Sequence, residues 1–73
     1  MVVTFYLMYV NGEKAEDLLK YEDEIFEMFA HITDEKDEAT VGEGWVSLSR
    51  IPTIEEILFM AKELAKLGLV IAV

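Results

Sequence analysis

The densest set of chemically capable side chains in this sequence is the run Thr33-Asp34-Glu35-Lys36-Asp37-Glu38, with four carboxylates in five positions. Carboxylate oxygens suit a hard cation such as Ca²⁺ or Mg²⁺, which accepts ligands from flexible loops. An EF-hand loop opening at Asp34 would need Gly at its sixth position and Glu at its twelfth. Those positions hold Ala39 and Trp45, so the motif is absent. Asp34, Asp37 and Glu38 stand as candidate ligands of a weak cation loop, against the plainer expectation of a solvated charged turn.

The other candidates are single residues. A helix through Glu22 would put it about 40° from Leu18, inside an apolar sector. Held there, its carboxyl would be pushed up by desolvation and could work as an acid or base. Reaching past the edge of the stripe to water is the expected outcome. His31, the only histidine, has no spaced partner of the kind a transition-metal site needs. A place near a helix C-terminus suits it better. Ser47 and Ser49 lack the Gly-x-Ser-x-Gly turn of an activated nucleophile, and Gly42 and Gly44 are not followed by the Lys-Ser/Thr pair of a phosphate loop. Arg50, the only arginine, precedes Ile51-Pro52 and a helix start, where free backbone N–H groups attract anions. A pairing with a neighbouring acid is the simpler expectation. No convergent pair of functional groups emerges, and the chain is not expected to be an enzyme.

The elements that must carry these residues are legible in outline. Val2 to Val10 is apolar or aromatic at every position but Thr4, and it ends at the turn dipeptide Asn11-Gly12. A helix is expected from about Glu13 to His31, with Leu18, Tyr21, Ile25, Met28, Phe29 and Ile32 on one face and Leu19 and Phe26 widening it. Its first turns would hold Glu13, Glu16 and Asp17. Ala39 to Val41 and Trp45 to Ser49 read as a hairpin around Gly-Glu-Gly, or else as one bulged strand. Thr53 and Glu56 have capping-box spacing just after Pro52. The helix they open is expected to bury Ile54, Ile57, Leu58, Ala61, Leu64 and Ala65, leaving Phe59, Met60 and Leu67 outside the core. Gly68 falls where a left-handed terminator belongs. Leu69 to Val73 reads as a final buried strand.

With the hairpin, residues 1–73 form one small α+β domain of order β-α-β-β-α-β. This is the ferredoxin-like two-layer sandwich, with both helices on one face of an antiparallel sheet. Without the hairpin the order is βαβαβ with three strands. The hairpin is preferred because it makes the first strand central, between the third and the fourth, which suits its apolar character.

Composition narrows the function. The 73 residues carry 15 acids against 6 bases, a net charge of −9, and no cysteine. Phosphate-backbone binding needs clustered bases, so a nucleic-acid partner is not expected, and the same charge argues against anionic lipid. No apolar run reaches the roughly 18 residues of a membrane span, and the N-terminus lacks the basic flank of a secretory signal. A cytoplasmic protein without a cofactor is expected.

Yet 53% of the residues are hydrophobic, more than so short a chain readily hides. With both helices on one side of the sheet, Thr4, Tyr6, Met8, Trp45, Ser47 and Val70 fall on the other. Exposed faces of this composition mark contacts. The expected function is that of a small acidic, non-enzymatic interaction domain, homodimerising through this open face. The alternatives are a divalent-cation protein using residues 34–38, and an acidic decoy for a basic protein partner.

Overall fold

In the computed structural model, which describes residues 1–72, strand β1 (Val3–Tyr9) has a neighbour on each side. The chain continues through a 3₁₀ turn (Leu18–Tyr21), helix α1 (Glu22–Ala30), strands β2 (Ala39–Val41) and β3 (Trp45–Leu48), helix α2 (Ile54–Ala65) and strand β4 (Leu69–Ala72). The result is a small α+β domain with a four-stranded antiparallel sheet ordered β2-β3-β1-β4. Ala39 to Leu48 does form a hairpin, so the three-stranded alternative falls. Val73, placed in the last strand by the sequence reading, lies outside the described residues.

The pairing sorts side chains by pleat. Because Tyr6 faces both Trp45 and Ala72 while Leu7 faces Ile71, alternate positions of β1 serve opposite faces. On the inner face Leu7, Val46, Leu48 and Leu69 are buried. They join Leu18, Ile25, Met28 and Phe29 from the α1 side and Met60 and Leu64 from α2 in one cluster. Both helices therefore cover the same side of the sheet.

Helix α1 begins nine residues later than the sequence pattern suggests. Strand β3 pairs only with Val3 to Tyr6, so the edge of Leu7 to Tyr9 on that side needs other partners. The chain after the Asn11-Gly12 turn supplies them: Tyr9 N–H donates to Glu13 O at 2.8 Å and Ala15 N–H to Leu7 O at 3.4 Å. Leu7 N–H donates to Gly44 O at 2.9 Å. Residues 13–15 are thereby drawn into an extended path. The acids of the first helical turn become Glu22, Asp23 and Glu24, not Glu13, Glu16 and Asp17. Leu19 and Phe26, expected to widen the buried stripe, are exposed.

Helix α2 starts where expected. Thr53 Oγ1 accepts from Glu56 N–H at 3.1 Å, and Glu56 Oε1 accepts from Thr53 N–H at 2.8 Å, which closes the capping box. Its rotation is not the expected one. Met60 and Leu64 are buried, Phe59 and Leu67 pack at the core edge and Ile57 is half-buried, whereas Ile54 is 78% and Leu58 64% exposed. Ala61 and Ala65 are exposed with them. The helix carries two apolar stripes, and the one with Met60 and Leu67 has the larger side chains and hence more area to withdraw from water. Beyond the helix, Gly68 takes φ +76°, a left-handed conformation that glycine alone adopts freely.

Candidate functional site

The outer face of the sheet is the surface expected to make a contact, and its side chains form three cross-strand rows. Thr40, Ser47 and Thr4 make the first; Trp45, Tyr6 and Ala72 the second; Met8 and Val70 the third. No carboxylate stands in any of them, and the nearest base is Lys14, bridged to Met8 at the edge of the third row. Tyr6 is 57% and Val70 40% exposed, while Trp45, Met8 and Ala72 are half-buried by their neighbours and Thr4 is exposed. Ser47 is the departure from an open surface: it sits mid-sheet between two threonines and is only 7% exposed.

Trp45 is seated by the turn beside it. Gly42 N–H donates to Trp45 O at 2.9 Å, and a Cβ built on Gly42 would lie 2.2 Å from the indole ring. Only a residue without a side chain lets the ring lie down there, which anchors one end of the aromatic row. Next to that row is a concavity of about 370 Å³. Tyr6, Met8 and Ala72 line it from the strands, and Lys14, Glu16 and Glu43 from the flanking turns. The face thus has an aromatic and apolar middle with a mixed-charge rim at one end. This is the usual anatomy of a contact surface.

The acidic loop has a different use. Asp37 turns inward: its Oδ2 accepts from Arg50 Nε at 3.1 Å and from Asp34 N–H at 3.0 Å. Those two donors, the backbone one first, hold its carboxyl below the usual range. Asp34 and Glu38 remain exposed at the surface. The three proposed cation ligands do not converge, and among the described residues no three acids or histidines group as a metal site.

Arg50 explains why. Its Nη1 donates to Glu56 Oε1 at 2.8 Å, and its Nη2 to Glu56 Oε2 at 2.9 Å and to Ile32 O at 2.7 Å. One guanidinium thus ties the end of the α1 segment, the acidic loop and the first turn of α2. The two-pronged bond, helped by the Thr53 N–H, brings the Glu56 carboxyl down to about 2. Arg50 itself is raised. So engaged, it has no free fork for an external anion, and the ion-pair expectation holds.

The remaining candidates are peripheral. Glu22 stands exposed at the start of α1, clear of the core. His31 is the C-terminal cap residue of α1, its ring edge-on to Phe59 with centroids 5.8 Å apart. Ser49 Oγ accepts from Glu38 N–H at 2.8 Å and so helps to close the hairpin's open end.

One cluster escaped the sequence reading. Tyr9 Oη donates to the Asp17 carboxylate, which also pairs with Lys20 at 2.7 Å, and the Lys20 ammonium lies 5.1 Å from the centre of the Tyr21 ring. The Asp17 bond raises the Tyr9 hydroxyl, while Lys20 and Tyr9 lower Asp17. The i, i+3 spacing of Asp17 and Lys20 was the visible signal. Tyr9 joins them only because residues 13–15 fold back along β1.

Among the described residues no helix is long and apolar enough to cross a membrane. No protein-family model, curated protein or solved structure matches the chain.

Proposed function

We propose that the chain is a non-enzymatic interaction domain that pairs with a second copy of itself through the outer face of its sheet. The observation that carries this reading is the one-sided cover: both helices join a single core on the inner face, and Tyr6, Met8, Trp45 and Val70 are left without a layer above them. Aromatic and Met side chains on a surface free of charge at its centre are what a contact core uses. The helix-covered sheet with β1 between β3 and β4, in the order β-α-β-β-α-β, supports describing the arrangement as ferredoxin-like.

Sedimentation equilibrium across a concentration series tests the reading. Tyr6→Lys is the cleaner probe, because the side chain is mostly exposed and its loss leaves the core intact. It is expected to raise the dissociation constant by at least about tenfold, as truncating a contact anchor does, with an unchanged circular-dichroism spectrum. Trp45→Ala is expected to weaken association as well, while also loosening the hairpin turn at Gly42. Glu35→Ala, in the acidic loop, is the control and should change little. A wild-type protein that stays monomeric at millimolar concentration, or a Tyr6→Lys protein that associates like the control, rejects the reading.

A further inference from the structure

The exposed stripe of α2 is a second apolar surface, on the helix layer and apart from the sheet face. Ile54, Leu58, Ala61 and Ala65 recur at intervals of four, three and four residues. On an α-helix they fall within an arc of about 60°. Nothing among the described residues covers them: Ile54 and Leu58 are among the most exposed large apolar side chains there. Their order matters, since the two large residues occupy the N-terminal half of the stripe and the two small ones the C-terminal half.

A stripe so arranged fits its own copy running in the opposite direction. A two-fold axis midway between Leu58 and Ala61 sets Leu58 against the partner's Ala61 and Ile54 against the partner's Ala65. Large meets small in every layer. Parallel alignment would stack large on large and leave a gap at the alanines. Charge makes the same choice. Glu55 and Lys62 lie on one flank of the stripe, and a two-fold axis across the contact brings that flank against itself. Glu55 then faces the level between the partner's Lys62 and Lys66. Lys66 already pairs with Glu63 at 2.8 Å, whereas neither Glu55 nor Lys62 has an ion-pair partner among the described residues.

We propose that α2 is a self-association surface, in which two copies pair antiparallel through Ile54, Leu58, Ala61 and Ala65 with reciprocal Glu55–Lys62 contacts at the rim. The proposal does not rest on the sheet-face reading. One helix face buries less than the ~800 Å² per partner of a standard stable interface, so the pairing belongs to the weak, concentration-dependent class. Where both contacts form, each chain carries two different two-fold interfaces and assembles into a tetramer or an open series.

The test is sedimentation equilibrium of the full chain carrying Tyr6→Lys, so that any sheet contact is weakened. This protein is expected to dimerise at high concentration. Adding Glu55→Lys reduces the net negative charge and would tighten association driven only by the relief of general repulsion. The antiparallel pairing demands the opposite: both symmetric pairs turn repulsive and the dissociation constant rises about tenfold. Lys62→Glu should weaken the dimer as well, and the double exchange Glu55→Lys with Lys62→Glu should restore it to within about threefold. Leu58→Glu, at an exposed position, should abolish it with the fold retained.

A Tyr6→Lys protein that stays monomeric overturns the proposal. So does tightening by Glu55→Lys, failure of the double exchange to recover, or a Leu58→Glu protein that still pairs. A foreign helix that binds the stripe while the chain itself stays monomeric also overturns it. If wild type and Tyr6→Lys dimerise alike, the sheet reading fails while the helix pairing stands.

Discussion

At the scale of single residues, the most committed side chain is Arg50. An arginine fork gripping both oxygens of Glu56 would ordinarily be read as a recognition element. Here its partners belong to the chain itself, and its role is to join three segments distant in sequence. The pH dependence follows from Glu56. Its carboxyl titrates near 2 in the folded protein against about 4.5 in an open chain. A depressed folded value stabilises the fold fully above the unfolded value, and that contribution drains as pH falls from about 4.5 towards 2. Asp37, also lowered, acts in the same sense. Thermal melts of wild type and Glu56→Gln are therefore expected to differ most near neutrality, with the wild type more stable, and to converge as pH falls from about 4.5 to about 2. Parallel curves down to pH 2 would show that the fork contributes nothing.

At the scale of elements, the two helices differ in how much of their placement was local. The start of α2 is written in Thr53 and Glu56, which satisfy each other's backbone N–H groups whatever the rest of the chain does. Its rotation was not local, because Ile54, Leu58, Ala61 and Ala65 offer as good a helical period as Ile57, Met60, Leu64 and Leu67. The buried choice makes a sharp prediction. Met60→Ala is expected to cost about 2–5 kcal/mol of unfolding free energy through lost burial and the cavity left behind. Leu58→Ala is expected to change it by no more than about 0.5 kcal/mol. Urea denaturation of both variants in the monomeric concentration range measures the difference, and a reversed order would place the helix in the expected rotation after all. For α1 the missing information was the edge of β1. Glu13 to Ala15 are compatible with a helix by composition, yet the Tyr9 N–H and the Leu7 carbonyl, beyond the end of β3, needed partners, and this segment provides them.

At the scale of the whole molecule, charge and apolar surface pull in opposite directions. A chain of net charge −9 repels its copy, while the uncharged middle of the sheet face favours contact. Salt arbitrates between them. The Debye length is about 10 Å at 0.1 M, so repulsion between surfaces fades as salt rises while apolar burial does not. Association of the wild-type chain is expected to tighten several-fold between about 20 and 200 mM NaCl, as read by light scattering at fixed protein concentration. Weakening over that range would mean that salt-sensitive attraction, not burial, holds the copies together.

By itself the sequence determined what depends on neighbours along the chain: the greasy first strand, the capping box at Thr53, the terminator at Gly68 and the charge; the hairpin at Gly42 to Gly44 it offered beside a single bulged strand, and the pairing of β2 with β3 decided. It also determined the two pleat faces of β1, since alternation leaves no choice once the strand exists. Only the tertiary structure decided which stripe of α2 is buried, where α1 begins, and that Asp37 points at Arg50 instead of at solvent. Each of these turns on partners in another element: the start of α1 on strand β1, four to eight positions back, and Asp37 on Arg50, thirteen positions on. Hydrophobic burial has no direction of its own and takes whichever face presents the larger area once the layers meet.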